Sequence, residues 1–284
     1  MKISIVTISY NQGPFLEAAI NSVLSQAGAD IEYIVVDPGS TDNSRDIIRK
    51  YESKIARIIL DKDKGPADGL NKGFSLATGD IYGYLNADDI LLPGALQEVT
   101  GFFNQMPEAD VISAHGYIID ENGKRLYKVF SNKLSSSSFV KKRYTIGYSS
   151  IVQQSTFFRK EIFIKTGGFD NSYKIMWDGA LAVDFMNLQA NFKTVNKFWS
   201  GFRIYSNSIT GSGQHNDKRA METYWAMQKR AGLSRIPRWE YPFLKWIGWF
   251  LVPTLFWKRL VDGIENPRRL KISVPLPEKK TSGL

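Results

Sequence analysis

The sequence predicts an α/β protein: a mixed, mostly parallel central sheet with flanking helices, followed by a helical C-terminal tail. Three observations predict it. Short β-branched runs alternate with helix-length segments over the first 90 residues. Polar loops rich in Asp, Asn and Gly stand where those runs end. The excess positive charge is confined to the end of the chain.

The elements follow in order. Ile3 to Ile8 reads as a buried strand, and Phe15, Ala18, Ala19, Ser22 and Val23 recur at helical spacing after it. Ile31 to Val36 is a second strand, and Ser40-Thr41-Asp42 opens a second helix with Ile47 and Ile48 inward. Ile55 to Leu60, residues 66–77 and Ile81 to Leu85 read as strand, helix and strand. Strands separated by helices imply right-handed βαβ units and a parallel sheet. In such sheets ligands bind beyond the carboxyl ends of the strands, which here carry Ser9 to Asn11, Asp37 to Ser40, Asp61 to Gly65 and Asn86 to Asp89.

The rhythm then loosens. Pro93 to Met106 reads as a helix, with Pro93 near its start. Strands are expected over 110–119 and 124–130, around Asp120-Glu121-Asn122-Gly123. Ser135 to Ser138 reads as a polar loop, Gln153 to Arg159 as a strand, and Gly167-Gly168-Phe169-Asp170 as a sharp turn. Phe192 to Val195 and Phe202 to Tyr205 read as two late strands, with helical pattern from about Asn216.

Composition narrows the chemistry. The chain has 284 residues, a net charge of +9, no Cys and two His, His115 and His215. Disulfides, thiolate zinc sites and Cys nucleophiles are excluded, so a metal must lean on carboxylates, which suits Mg²⁺ or Mn²⁺. Residues 1–217 balance 23 basic against 23 acidic side chains, whereas residues 218–284 hold 14 against 5 and five of the seven Trp. A neutral body with a basic, Trp-rich tail suits contact with an anionic surface, and argues against a nucleic-acid binder. The 12-residue uncharged run Trp246 to Trp257 lies between Lys245 and Lys258. A membrane span needs roughly 20 apolar residues, so this run fits either a membrane interface or a core or dimer helix. The opening residues run straight into a strand with no leader pattern, and a cytoplasmic location is expected.

Several segments carry chemistry. Asp88 and Asp89 end a hydrophobic strand; adjacent acids there invite a cation, or Asp89 caps the following helix. In Asp37-Pro38-Gly39-Ser40, Asp37 suits hydrogen bonds from a base or ribose and Gly39 admits close backbone approach, or the segment is simply a strand-to-helix turn. In the run from Asp63 to Gly73, Lys64 and Lys72 suit phosphates, and Asp68 and Asn71 suit sugar hydroxyls. Gln153 and Gln154 suit acceptor or donor hydroxyls, or local backbone groups.

These segments, in order from Val6-Thr7-Ile8-Ser9-Tyr10-Asn11 through Asn86-Ala87-Asp88-Asp89, together resemble the family 2 glycosyltransferases with a GT-A fold, most of all bacterial enzymes that build surface polysaccharides. The resemblance covers about residues 1–205. It implies a donor site, the base usually uracil, from Thr7, Tyr10, Asn11, Asp37, Gly39 and Ser40. Lys64, Asp68, Asn71, Asn86, Ala87 and Asp88 complete that site. Asn86 replaces the first Asp of the family's Asp-x-Asp, so the implied metal ligands are Asp88 and Asp89, with His215 as a further candidate or a surface His. Asp178, about eight residues beyond Gly167-Gly168-Phe169-Asp170, is the implied general base, and Asp184 the fallback. Trp177, Gln153 and Gln154 are expected to meet the acceptor, and Arg203 to meet phosphate or brace the site.

The resemblance implies an inverting transferase that uses Mn²⁺ or Mg²⁺, a nucleotide-sugar donor and a glycan or polyprenyl-diphosphate-linked acceptor at a membrane surface. A non-catalytic nucleotide-sugar-binding partner subunit is the alternative, and a basic nucleic-acid-binding protein a more remote one. The expected division is a catalytic domain over 1–215, with a donor half 1–106 and an acceptor half 107–215, and a tail over 216–284 that meets a membrane or a second copy.

Overall fold

The structure is a computed structural model that describes residues 1–206, 208, 210, 212, 218–251, 257, 260 and 261. The N-terminal half builds a parallel sheet. Strands β1 (Lys2–Ile8), β2 (Asp30–Val36), β3 (Arg57–Ile59) and β4 (Ile81–Asn86) alternate with helices α1 (Gly13–Leu24), α2 (Ser44–Lys50) and α3 (Pro66–Ser75). β1 lies between β2 and β4 and pairs with both in parallel, Val6 opposite Ile34 and Tyr84. The order β3-β2-β1-β4 therefore reverses at β1, and the crevice between the ends of β1 and β4 is the topological switch point.

The second half extends this sheet with mixed pairing. β5 (Ile90–Leu91) and α4 (Ala95–Gln105) precede a hairpin of β6 (Val111–Ile119) and β7 (Arg125–Val129). Next come α5 (Ser138–Thr145), a 3₁₀ turn over Gln153–Ser155, β8 (Thr156–Arg159), α6 (Lys160–Thr166), α7 (Trp177–Asn187) and β9 (Phe192–Arg203). β8 pairs antiparallel to both β4 and β6, and so joins the halves into one sheet. Helices α8 (Lys218–Arg230) and α9 (Glu240–Leu251) follow.

Alternation along the strands sorts the core into two layers. Ile3, Ile5, Val35 and Leu85 pack under α1 and α4 with Leu16, Ile20, Leu96 and Phe103. Val6, Ile34, Tyr82 and Tyr84 pack on the other face with Leu70, Phe74, Phe163, Trp177 and Phe185 of α3, α6 and α7. Burial on both faces explains why β1 and β4 read as continuous apolar runs.

Four expectations change. The inward stripe of α1 is Leu16, Ala19, Ile20 and Val23 rather than one through Phe15 and Ala18. The two late strands are one 12-residue strand, β9, because bulges at His115 keep it paired to β6 across its polar middle. The polar tract around Ser135 leads into α5, whose N-terminus is capped by the Ser137 hydroxyl accepting from the Val140 N–H. β5 and α6 were not expected at all.

The first tail helix is bound to the body. Arg230 of α8 forms a bidentate pair with Asp184 of α7 at 2.6 and 2.7 Å, and reaches Asp170 at 2.6 Å. α9 is held through Leu244, which packs with Ile146 and Ile236 in a small third core.

Candidate active site

The loop after β1 is locked to the loop after β2. The Asn11 N–H donates to Ser40 Oγ at 2.8 Å, and Asn11 Oδ1 accepts from the Thr41 N–H at 2.8 Å. Asn11 holds a positive φ of 51°, the left-handed conformation that asparagine tolerates best after glycine. Asp37 is fully buried at the end of β2. Its Oδ1 accepts from the Gly39 and Ser40 N–H groups and from Arg45 Nε, and its Oδ2 from Ser40 Oγ at 2.6 Å. Gly39 has φ 138°, and a Cβ there would meet open space, so the loop leaves room at the rim. Tyr10 is exposed there. Thr7 was expected in the donor site, but it is fully buried and accepts from the Tyr33 hydroxyl at 3.0 Å, so it underlies the rim.

The loop after β4 holds the acids. Asp88 is half-buried and burial pushes its carboxyl up; its Oδ2 accepts from the Tyr205 hydroxyl at 3.2 Å, which in turn accepts from Gln12 Nε2 at 3.2 Å. Asp89, expected as a metal ligand, is instead fully buried. Its Oδ1 accepts from the Arg203 N–H at 2.9 Å, and its Oδ2 from Gln154 Nε2 at 2.7 Å and Asn86 Nδ2 at 3.3 Å. Burial and the neighbouring Asp88 still push its carboxyl well up. Asp89 therefore ties together β4, the 3₁₀ turn and β9. Gln153 and Gln154 were expected to meet acceptor; both are buried, Gln153 donating to the Tyr84 carbonyl at 3.0 Å, and they brace the same loop. Ala87 is buried too, its N–H donating to the Ile8 carbonyl. Arg203 completes the brace, its Nε donating to the Asp88 carbonyl at 2.7 Å and its Nη1 to the carbonyls of Asp120 and Glu121.

Two buried oxygens at the switch point have no hydrogen-bond partner: Ser9 Oγ at the end of β1 and Asn86 Oδ1 at the end of β4. Buried polar atoms are rarely left so, and this is the crevice where the fold binds ligands. Among the described residues no group of three or more His, Asp or Glu side chains gathers into a metal cage. Asp88 and the Asn86 amide oxygen remain as hard oxygen donors at one loop, the type Mg²⁺ and Mn²⁺ take. His215 lies outside the described residues.

The loop before α3 joins the two halves. Asp68 Oδ2 accepts from the Lys64 N–H at 2.9 Å and its Oδ1 from Asn171 Nδ2 at 3.2 Å, and Lys64 itself is exposed. Asn71, expected on sugar hydroxyls, clamps the Phe169 backbone: its Nδ2 donates to the Phe169 carbonyl and its Oδ1 accepts from the Phe169 N–H, both at 2.8 Å. A Cβ on Gly168, where φ is 91°, would stand 2.6 Å from Asn71 Oδ1, so only glycine fits this turn.

That turn leads to Asp178, half-buried in the first turn of α7. Burial pushes its carboxyl up, against the N–H groups of Gly179 and its own residue at the helix start. Tyr84, Tyr144 and Tyr224 surround it closely enough to feel its charge. Met176, just before α7, holds a φ of 58°, a costly conformation for such a side chain and one that marks functional sites. Trp177 was expected to stack on an acceptor sugar. It is a core residue instead, its ring 5.5 Å from Tyr84 and 5.6 Å from Phe169. Asp184 is committed to Arg230 and serves as a brace. Sequence reasoning missed Gln12, Arg45 and Tyr205; polar residues flanking the rim loops were the available signal.

The parallel sheet with its switch-point crevice, extended by a mixed second half, is the GT-A architecture of glycosyltransferases. The chain belongs to glycosyl transferase family 2, whose profile matches residues 4–167. An uncharacterized glycosyltransferase of Nostoc sp. is 28% identical over 265 residues, covering 88% of this chain and 77% of the relative. A PGL/p-HBAD biosynthesis glycosyltransferase of Mycobacterium bovis is 28% identical over 181 residues, 62% of this chain and 66% of the relative. Among solved structures, S. aureus TarS 1–349 in complex with UDP-GlcNAc superposes with a TM-score of 0.65 at 16% identity, over 86% of this chain and 70% of that one. A mannosyltransferase from Pyrobaculum calidifontis in complex with GDP-Man and Mn²⁺ superposes with a TM-score of 0.61 at 16% identity, over 97% and 76%. At these identities the structures show the fold.

Proposed function

We propose that this glycosyltransferase moves a sugar from a nucleotide-sugar donor, UDP-linked, to a hydroxyl of a glycan or lipid-linked oligosaccharide, with inversion at the anomeric carbon, in surface polysaccharide biosynthesis. The observation that carries it is Asp178: a carboxyl that, among the described residues, has no side-chain hydrogen-bond partner, raised by burial, at a helix start packed against β4. A carboxylate whose pKa is raised by burial is a stronger base than an ordinary one. Asp178 takes the proton of the acceptor hydroxyl as that oxygen bonds to the anomeric carbon. The bond from that carbon to the diphosphate oxygen breaks on the opposite face, and the nucleoside diphosphate leaves.

The rim loops at Tyr10, Asn11, Asp37, Gly39 and Ser40 form the nucleoside pocket, and Lys64 and Asp68 flank the sugar and diphosphate. Asp88, with the Asn86 amide oxygen, would hold a divalent cation, Mn²⁺ or Mg²⁺, which when bound neutralises charge on the departing diphosphate. Tyr205 and Gln12 orient Asp88 from behind. The neighbours bound to UDP-GlcNAc and to GDP-Man with Mn²⁺, and the relative named for PGL/p-HBAD biosynthesis, support this reading.

The test is a panel of UDP- and GDP-sugars with Mn²⁺, read by thermal shift and by hydrolysis, then NMR of the glycoside made with the best donor. One UDP-sugar that raises the melting temperature and yields product of inverted anomeric configuration is expected. Product with retained configuration contradicts the role given to Asp178.

A further inference from the structure

We propose that the outer face of α9 docks the protein on an anionic phospholipid bilayer. α9 has two apolar faces. The inner one is used: Leu244 is buried in the third core, and Gly248 lies so close to α5 that a Cβ there would stand 2.7 Å from Arg143 Nη2. The outer one is not covered among the described residues. Phe243, Trp246 and Phe250, at helical spacing, are 56%, 64% and 76% exposed, and Trp239 just before the helix is 74% exposed. The Trp246 and Phe250 rings stack at 6.3 Å, so they form one continuous patch. An ordinary surface helix turns a polar face outward, and contiguous exposed apolar patches of this kind mark interaction sites.

Charge selects the occupant. Exposed Arg235 and Arg238 precede Trp239 in the sequence and exposed Lys245 precedes Trp246, and residues 258–271 hold five basic side chains against two acidic ones. Two copies meeting through this face would bring like charges together. An anionic bilayer instead gains roughly fivefold in partitioning for each basic residue near its surface, and indole rings settle at the boundary between headgroups and acyl chains. No described helix is long and apolar enough to cross a membrane, so α9 lies along the interface.

The docking has a consequence for the site that rests on the glycosyl-transfer reading. α5 separates α9 from Asp178: its Arg143 packs under Gly248, and the next residue, Tyr144, feels the Asp178 charge. A bilayer against the outer face of α9 therefore has α9 and α5 between it and the base, which sets how far a lipid-linked acceptor must reach.

The test is co-sedimentation of the full chain with vesicles of equal parts phosphatidylglycerol and phosphatidylethanolamine, against phosphatidylcholine alone. The wild type is expected to bind the anionic vesicles, and Phe243→Ser/Trp246→Ser/Phe250→Ser to lose about tenfold or more in affinity with an unchanged melting temperature. Brominated lipid should quench tryptophan fluorescence in the wild type. Equal binding by the triple variant, or equal binding of the wild type to both vesicle types, overturns the proposal. So does a dimer that the triple variant splits while vesicle binding stays the same. The two readings fail separately: vesicle binding without transfer to any acceptor leaves docking intact and sinks glycosyl transfer, whereas transfer to a soluble acceptor by a chain that ignores vesicles does the reverse.

Discussion

Asn71→Ala separates a structural clamp from a donor contact. The Asn71 amide makes two 2.8 Å hydrogen bonds to the backbone of Phe169, a residue only 3% exposed. Each such bond contributes about 1 kcal/mol net, so losing both costs about 2 kcal/mol. For a chain of this size each kcal/mol lowers the melting temperature by roughly 2–4 °C, which gives a fall of about 4–8 °C. Nucleotide-sugar affinity, measured by calorimetry below the transition, should stay within about twofold, because the amide is held by the Phe169 backbone, its Nδ2 also donating to Asn171 Oδ1 at 3.3 Å, and is not turned to a ligand. Asn71→Asp should be no better than Ala: it keeps an acceptor for the Phe169 N–H but sets an oxygen against the Phe169 carbonyl. An unchanged melting temperature together with a tenfold loss of donor affinity would refute the clamp and restore the contact with a sugar hydroxyl.

Other perturbations follow from the same geometry. Asp184→Asn breaks the bidentate pair with Arg230; thermal unfolding should show a loss of about 1–3 kcal/mol, with the transfer rate within a few-fold of wild type. Arg203→Lys gives up at least two of the three side-chain bonds to the carbonyls of Asp88, Asp120 and Glu121; a loss of about 3 kcal/mol or more is expected, and the same scan checks it. Asp178 has a folded-state pKa raised by burial. Its contribution to stability is therefore fully present below the unfolded pKa and is lost as pH rises through the folded value. Asp178→Asn should melt above wild type at pH 7, with the gap closing as the pH falls toward the ordinary carboxylate range.

Much of the first half was legible because its elements are long and doubly buried. β1, β2 and β4 read as continuous apolar runs, and their carboxyl ends named the rim before any coordinate did. Parts of the second half were not legible, for identifiable reasons. β5 has two residues, too few for any periodicity, and α5 is capped by a serine inside a tract of four serines. β9 carries Lys193, Thr194, Asn196 and Lys197 in its middle, so only its apolar ends read as strand. Within the site, residue type and spacing located the loops but not the partners. Gln154 and Arg203 meet Asp89 from 65 and 114 residues away, and Asn71 meets Phe169 from 98. A buried amide or acid bonded to distant backbone reads, in sequence, the same as one waiting for a ligand.

The central claim is that Asp178 takes the acceptor proton, and single-turnover transfer by Asp178→Asn tests it most directly. The amide keeps the shape of the carboxylate and cannot serve as base. Nucleotide-sugar affinity by calorimetry should match wild type, while the transfer rate falls by roughly 10²–10⁴-fold and loses its dependence on pH near the wild-type base pKa. A transfer rate within a few-fold of wild type, at matched donor affinity, would contradict the account.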